Sequence, residues 1–178
     1  MDSEVLKSLG VEGMSAAAHA LTRPAEEYGN DENLELQWAI KAYHHAETYF
    51  NLVSSVDNRG LKLTQQDDEI YQSFKQSFPN FRVDIVDPEE LKSEASKSKW
   101  RTFCNKFEGA VEDFNFGTLL RLDCREDYSE KNSIFVTRIQ FFAVEITRNR
   151  EGLNLGLWTK KQEKRKDDAT AAKPQTSS

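Results

Sequence analysis

No apolar run in this chain of 178 residues approaches the ~20 needed to span a bilayer, so no membrane-crossing helix is expected. The chain starts Met-Asp-Ser-Glu, acidic where a secretory leader is basic, and no continuous apolar core follows. Cysteine is scarce. Cys104 and Cys124 stand alone without CxxC spacing, which argues against a disulfide framework or a cysteine-rich zinc site. Two such thiols read as plain buried cysteines in a reducing compartment, so the expected location is cytoplasmic, with the nucleus also open. Glycine is sparse too, and neither GxGxxG nor GxxxxGK occurs, which weighs against a nucleotide- or S-adenosylmethionine-dependent enzyme. HExxH is missing, and Ser54-Ser55 and Ser93 lack a nucleophile-elbow context. No catalytic, cofactor-binding or metal-ligating residue is therefore expected.

What is present is a core-forming composition under a charged surface. A hydrophobic fraction of 38% with eleven phenylalanines is too high for wholesale disorder, and 30% charged residues indicate a solvated exterior. Net charge is −6 and unevenly spread: six basic and three acidic residues lie from Lys160 onward, leaving −9 on residues 1–159. An acidic body is a poor grip for phosphate backbones, so neither specific nucleic-acid binding nor a membrane is expected. It suits a basic protein partner, drawn in by long-range attraction.

The length fits one domain with tails: a flexible N-terminus at 1–13, a globular domain at 14–158, and a disordered charged tail at 159–178. Alanine-rich Met14–Leu21 predicts a short helix stopped by Arg23-Pro24, and PAEEYGND a loop. From Leu34 to about Val53, Leu36, Ala39, Tyr43, Ala46, Phe50 and Val53 form one helical stripe, widened by Ala42 and Tyr49. Ile70, Tyr71, Phe74 and Phe78 predict a shorter helix ending before Pro79. Alternation in Phe81–Val86 predicts a strand. Asp87-Pro88-Glu89-Glu90 then opens a helix whose apolar face runs from Trp100 to Phe114, before Gly117 and a strand to Cys124. These two strands flank a helix and are expected parallel, with a right-handed crossover. Ile134-Phe135-Val136 is expected to return antiparallel to the strand at 118–124. In Thr137–Arg150 the β-branched content favours strand, but Thr137 and Gln140 spell a capping box and Ile139, Phe142, Ala143 and Ile146 keep a helical stripe. The reading is helix. Leu153, Leu155 and Leu157 alternate as an edge strand would. The fold class is thus α+β, mainly helical: about four helices on a small sheet of two to four strands, with a disordered C-terminal tail.

Candidate sites are few. His44 and Glu47 lie one turn apart without a second ligand pair, and both His44 and His45 point away from the middle of the stripe, as boundary residues do. The paired carboxylates, Glu126-Asp127 among them, suit caps and solvated faces. Arg138, Arg148 and Arg150 form a basic group that suits either a helix C-terminus complementing its own dipole or a partner site. Tyr28 and Trp38 are large aromatics among polar residues, equally good as half-buried core or interface anchors.

Long ordered strings in this chain resemble one family. PAEEYGND, HHAETYFNLVSSVD, LKLTQQDDEIY, DPEELKSE, KWRTFCNKFEGAVEDFNFGTLLRLDC and RIQFFAVEITRNREG together are similar to the polysaccharide biosynthesis domain-containing protein 1 family, over roughly His19 to Asn154. The family's name suggests sugar chemistry, which the residues do not support. The resemblance implies instead a cytosolic, ATP-independent chaperone dedicated to translation elongation factor 1A, a basic client. It implies that the chain engages the nascent GTP-binding domain at the ribosome, with the nascent polypeptide-associated complex. Recruitment in the family is ascribed to a C-terminal extension, which here is short and net basic. The expected partner surface comprises Tyr28, Asn30, Asp31, Arg138, Arg148, Asn149 and Arg150, polar motif positions where a core role is hardest to argue. Charge reversal at Arg148 or Arg150 is expected to weaken client binding without unfolding the domain. The alternatives are a degenerate sugar-related or methyl transferase and an RNA-contacting factor working through the basic tail.

Overall fold

The computed structural model describes residues 32–172, so Tyr28, Asn30 and Asp31 lie outside the described residues, as do the predicted helix at 14–21 and the last residues of the tail. Six helices and two strands follow in order: α1 Glu32–Ser55, α2 Asp67–Ser77, α3 Pro88–Lys92, α4 Glu94–Asn105, β1 Gly117–Arg121, β2 Ser133–Thr137, α5 Arg138–Arg150 and α6 Leu155–Ala171. The mainly helical α+β class read from the sequence is the observed one.

The segment with conflicting sequence signals, Thr137–Arg150, is a helix at the centre of the molecule. Thr137 accepts a hydrogen bond from the Gln140 amide, and the Gln140 side chain accepts one from the Thr137 N–H, closing the expected capping box at the start of α5. At the other end Gly152 takes a left-handed φ of 74°, and its N–H and that of Leu153 return to the carbonyls of Asn149 and Arg148. Between the caps every residue from Ile139 to Asn149 is buried, so α5 is enclosed on all sides rather than amphipathic. Replacing Thr137 with alanine removes one arm of the box and should cost about 1 kcal/mol in urea unfolding, with the helix still formed.

Around α5 the core is largely aromatic. Phe74 of α2 and Phe78, which follows its last turn, stack on Trp100 of α4 at centroid distances of 5.8 and 4.1 Å, and Phe81, Phe103 and Phe107 pack against the same group. Trp100 anchors its indole N–H on the Glu90 carbonyl. On α1 the buried apolar residues are Leu34, Ala42, Ala46, Tyr49 and Val53, a stripe rotated toward Ala42 and Tyr49 relative to the predicted one.

Four sequence expectations are corrected. The helix predicted to run from Pro88 to Phe114 is two helices: Ser93 is extended, ends α3, and caps α4 by accepting from the Ser96 amide. A serine that bonds its own backbone competes with helix continuation. Helix α4 stops at Asn105, and turns with positive φ at Gly109 and Asp113 lead to β1. Phe81–Val86 is not a ladder strand. It makes one antiparallel bridge, Ile85 to Asp123, so the parallel crossover unit does not form. The Val83 carbonyl goes instead to the Arg148 side chain, at 2.6 Å. Finally, Leu153, Leu155 and Leu157 do not form an edge strand, and the tail expected from Thr159 is helical through Ala171. Helix α6 packs on α1 and buries Leu157 in the core, while Lys161 reaches the hydroxyls of Ser54 and Ser55.

The sheet itself follows the reading. β1 and β2 are antiparallel with Leu119 opposite Phe135 and Arg121 opposite Ser133. Leu120 and Val136 face the core and α5, whereas Leu119, Arg121, Ser133 and Phe135 share the other face. Helix α1 contacts β1, where His45 bonds Thr118 and Tyr43, Ala46 and Phe50 stand beside Leu119, and among the described residues the β2 half of that second face is left uncovered.

Candidate partner-binding groove

The uncovered half-sheet becomes a groove of about 690 Å3 between α1, the two strands and the loop after β1. Tyr43 and Phe50 of α1, Tyr128 of the loop and Phe135 of β2 supply its aromatic surface, with Phe135 44% exposed. Glu47, Asp127 and Glu130 stand at the groove, and among the described residues no lysine or arginine lines it. An open, carboxylate-bearing, aromatic surface suits a polypeptide that carries cations beside apolar side chains.

A buried polar network holds the groove wall from below. Glu145, on α5, is fully buried and accepts from Arg148 at 2.6 Å, from Arg121 at 3.2 Å, from Tyr49 at 2.6 Å and from Asn154 at 2.9 Å. Asn154 also accepts from Arg121 and donates to Asn149, which in turn donates to Tyr49. Arg148 also donates to the carbonyls of Val83 and Leu122, and Arg121 to that of Cys124, while the Arg121 Nε is buried without a partner among the described residues. The Arg121 guanidinium lies 5.7 Å from the Phe50 ring and 5.9 Å from the Tyr128 ring. Those two rings meet edge to face, and Tyr128 donates to the Leu119 carbonyl. The wall is therefore positioned by a charge cluster under it rather than by apolar packing alone.

Burial alone would raise the Glu145 carboxyl, but Arg121 and Arg148 outweigh it and hold the group near about 2. Burial and the Glu145 carboxylate push the Tyr49 phenol well up, so it stays a donor. The Cys104 and Cys124 thiols are free, buried and raised by that burial, as plain core cysteines are.

The predicted partner residues are not brought together. Arg148 and Asn149 are 0% and 1% exposed and belong to the buried network, which corrects their assignment to a partner surface. Charge reversal at Arg148 would therefore unfold the domain, contrary to the expectation for it. Arg150 is exposed but paired to Asp68 at 2.6 Å and laid over the Tyr71 ring. Arg138 is half-buried over Phe142, and it lines a small cavity of about 60 Å3 with Lys41, His45 and Thr118. His45 is a half-buried boundary residue: it packs on Phe141 and bonds Thr118 at 2.8 Å, and burial followed by Arg138 lowers its pKa. His44 is exposed, 3.9 Å from Glu47. Trp38 is 42% exposed.

Sequence reasoning missed the groove residues. In the sequence Asp127 is one of many paired carboxylates, and Phe135 is one residue of a strand. The usable signal was a glutamate inside the apolar run Phe141–Ile146, a charge that a buried helix can hold only with partners.

The fold and site thus define a mainly helical α+β domain with an acidic, aromatic groove over one open sheet face. The profile of the family described as PBDC1 protein matches residues 34–158. A human Protein PBDC1 is 58% identical over 149 residues, which cover 84% of this chain and 64% of that protein. A Saccharomyces cerevisiae Protein PBDC1 homolog is 46% identical over 134 residues, covering 73% of this chain and 92% of its own length. A solution NMR structure of a protein from Saccharomyces cerevisiae superimposes with a TM-score of 0.70 at 44% identity, covering 78% of this chain and 97% of that one. The chain belongs to the PBDC1 protein family. It spans only 64% of the human relative's length. Among the described residues no helix is long and apolar enough to cross a membrane.

Proposed function

We propose that this chain is an ATP-independent, client-specific chaperone that holds the newly made GTP-binding domain of translation elongation factor 1A at the ribosome, and is not an enzyme. The observation that carries this reading is the groove, which among the described residues has three carboxylates, four aromatic rings and no basic lining residue. A basic client approaches the acidic body by long-range attraction, and the groove then shields an apolar segment that the unfinished domain leaves exposed. Such a holder works by preferring the intermediate. Completion of the client's fold withdraws the segment and releases it, so no nucleotide hydrolysis is required. The basic residues from Lys160 to Lys166 lie on α6, which gives a rigid mount for contact with the ribosome or the nascent polypeptide-associated complex. Action in the cytoplasm, where translation occurs, belongs to the same reading.

The test is affinity capture of the tagged chain from translating lysate, with sequencing of the ribosome-bound messages. The expected result is enrichment of ribosomes making elongation factor 1A above all others. No enrichment of that message overturns the assignment.

A further inference from the structure

We propose that the groove takes its client segment by strand addition: an extended stretch alternating apolar and basic residues pairs with the outer edge of β2 as a third strand. The inference rests on the groove being the docking face and adds how the backbone is recognised. The ladder's own hydrogen bonds fix which edge groups are free. Arg138 N–H donates to the Phe116 carbonyl at 2.7 Å and Leu122 N–H to the Asn132 carbonyl at 3.1 Å. The hydrogen-bonded pairs therefore fall at even positions, and Ile134 and Val136 turn their amide groups toward β1. Ser133 and Phe135 turn theirs away from β1. Among the described residues nothing pairs with that edge, the sheet having two strands. The edge closes at Thr137, whose N–H is held by the Gln140 side chain at 2.9 Å. The free groups of Ser133 and Phe135 thus define a short docking strip.

Edges left open in this way are normally blunted by lysine, proline or a bulge. Here an exposed phenylalanine stands on the strip instead. A strand added there would point alternate side chains onto the face shared by Leu119, Ser133 and Phe135, which is the floor of the groove. Cations on that strand would meet Glu47, Asp127 and Glu130. Charge also selects against the chain's own candidates. Its residues 1–31 hold six acidic and two basic side chains, and a second copy carries −6 overall, so both are repelled by the groove.

The experiment is fluorescence anisotropy of the full chain with a short labelled peptide of alternating valine and lysine. A control peptide of the same sequence is N-methylated at alternate residues, which removes its edge donors. The parent peptide should bind and weaken with salt, and methylation should weaken it at least about tenfold, the loss of two or so hydrogen bonds. Phe135→Pro should weaken the parent to the same degree with the melting temperature kept, since an edge proline whose N–H faces outward removes no ladder bond. Should that variant fail to fold, amide exchange in the wild-type chain serves instead: peptide should protect the Ser133 and Phe135 amides. Equal binding of the two peptides, or no protection at those amides, overturns strand addition while leaving the groove as the docking face. A peptide that binds neither way removes the inference, and ribosome capture then judges the chaperone reading separately. A dimer broken by Phe135→Pro would put a second copy on the edge and also overturn it.

Discussion

Glu145→Ala is expected to destabilise the domain by about 3–5 kcal/mol in urea unfolding at neutral pH, the cost of leaving buried guanidinium groups without their counter-charge. Both Arg121 and Arg148 are 0% exposed, so neither can turn to water when the carboxylate goes. A surface ion pair such as Arg150 with Asp68 should by contrast lose less than about 1 kcal/mol on removal. The effect also has a pH signature. The carboxyl is held near about 2 in the folded chain, below an ordinary 4.5, so its contribution is fully present above pH 4.5. It is lost as pH falls from there toward 2, and amounts to about 3 kcal/mol over that span. In Glu145→Gln that slice of the acid dependence should vanish, leaving a flatter curve from a lower starting stability. A wild-type-like acid arm in the variant would show that other carboxylates set it. A further consequence joins stability to recognition: loss of Glu145 releases Arg121 from beneath the Phe50 and Tyr128 rings, so the groove wall loosens even where the fold survives at low temperature.

The second large effect is on binding. Reversing Glu47 and Glu130 together to lysine should weaken capture of the GTP-binding domain of elongation factor 1A by about tenfold to a hundredfold. Most of the loss should fall on the association rate, because rim charges act before contact is made. Stability should stay within about 0.5 kcal/mol, since both side chains are exposed and hold no buried partner. Stopped-flow association at two salt concentrations separates the cases. If the variant associates as fast as wild type, or the rate ignores salt, the groove's charge is irrelevant to the client.

Local signals carried the fold where they were self-contained. Thr137 and Gln140 are three residues apart, so the cap of α5 is complete within one turn of sequence, and it outweighed the strand propensity of the residues after it. The pairing of β1 with β2 was legible because a short polar loop joins two alternating segments. Phe81–Val86 misled because the alternation of Phe81, Val83 and Ile85 holds only for the first two: Ile85 is exposed while Val86 is buried, and the pattern does not report that the Val83 carbonyl goes to Arg148. The leucines at 153, 155 and 157 misled in the same way, with only Leu157 buried, on a helix.

The site was harder for a different reason. Polarity in Arg148-Asn149-Arg150 looked like surface, yet two of the three residues serve a buried carboxylate three positions earlier and a tyrosine a hundred positions away. Sequence shows a polar side chain but not the partner that lets it be buried. The groove draws on α1, the two strands and the loop between them, so no contiguous motif could display it.

The central claim is that the client meets this chain on the open face beside Phe135. A photo-crosslinking amino acid at position 135 of the full chain, exposed to light during translation of elongation factor 1A, tests it at a single residue. The account predicts an adduct with nascent elongation factor 1A from position 135, and none from the same probe at Asp68 on α2. An adduct from position 68 with nothing from 135 would contradict it.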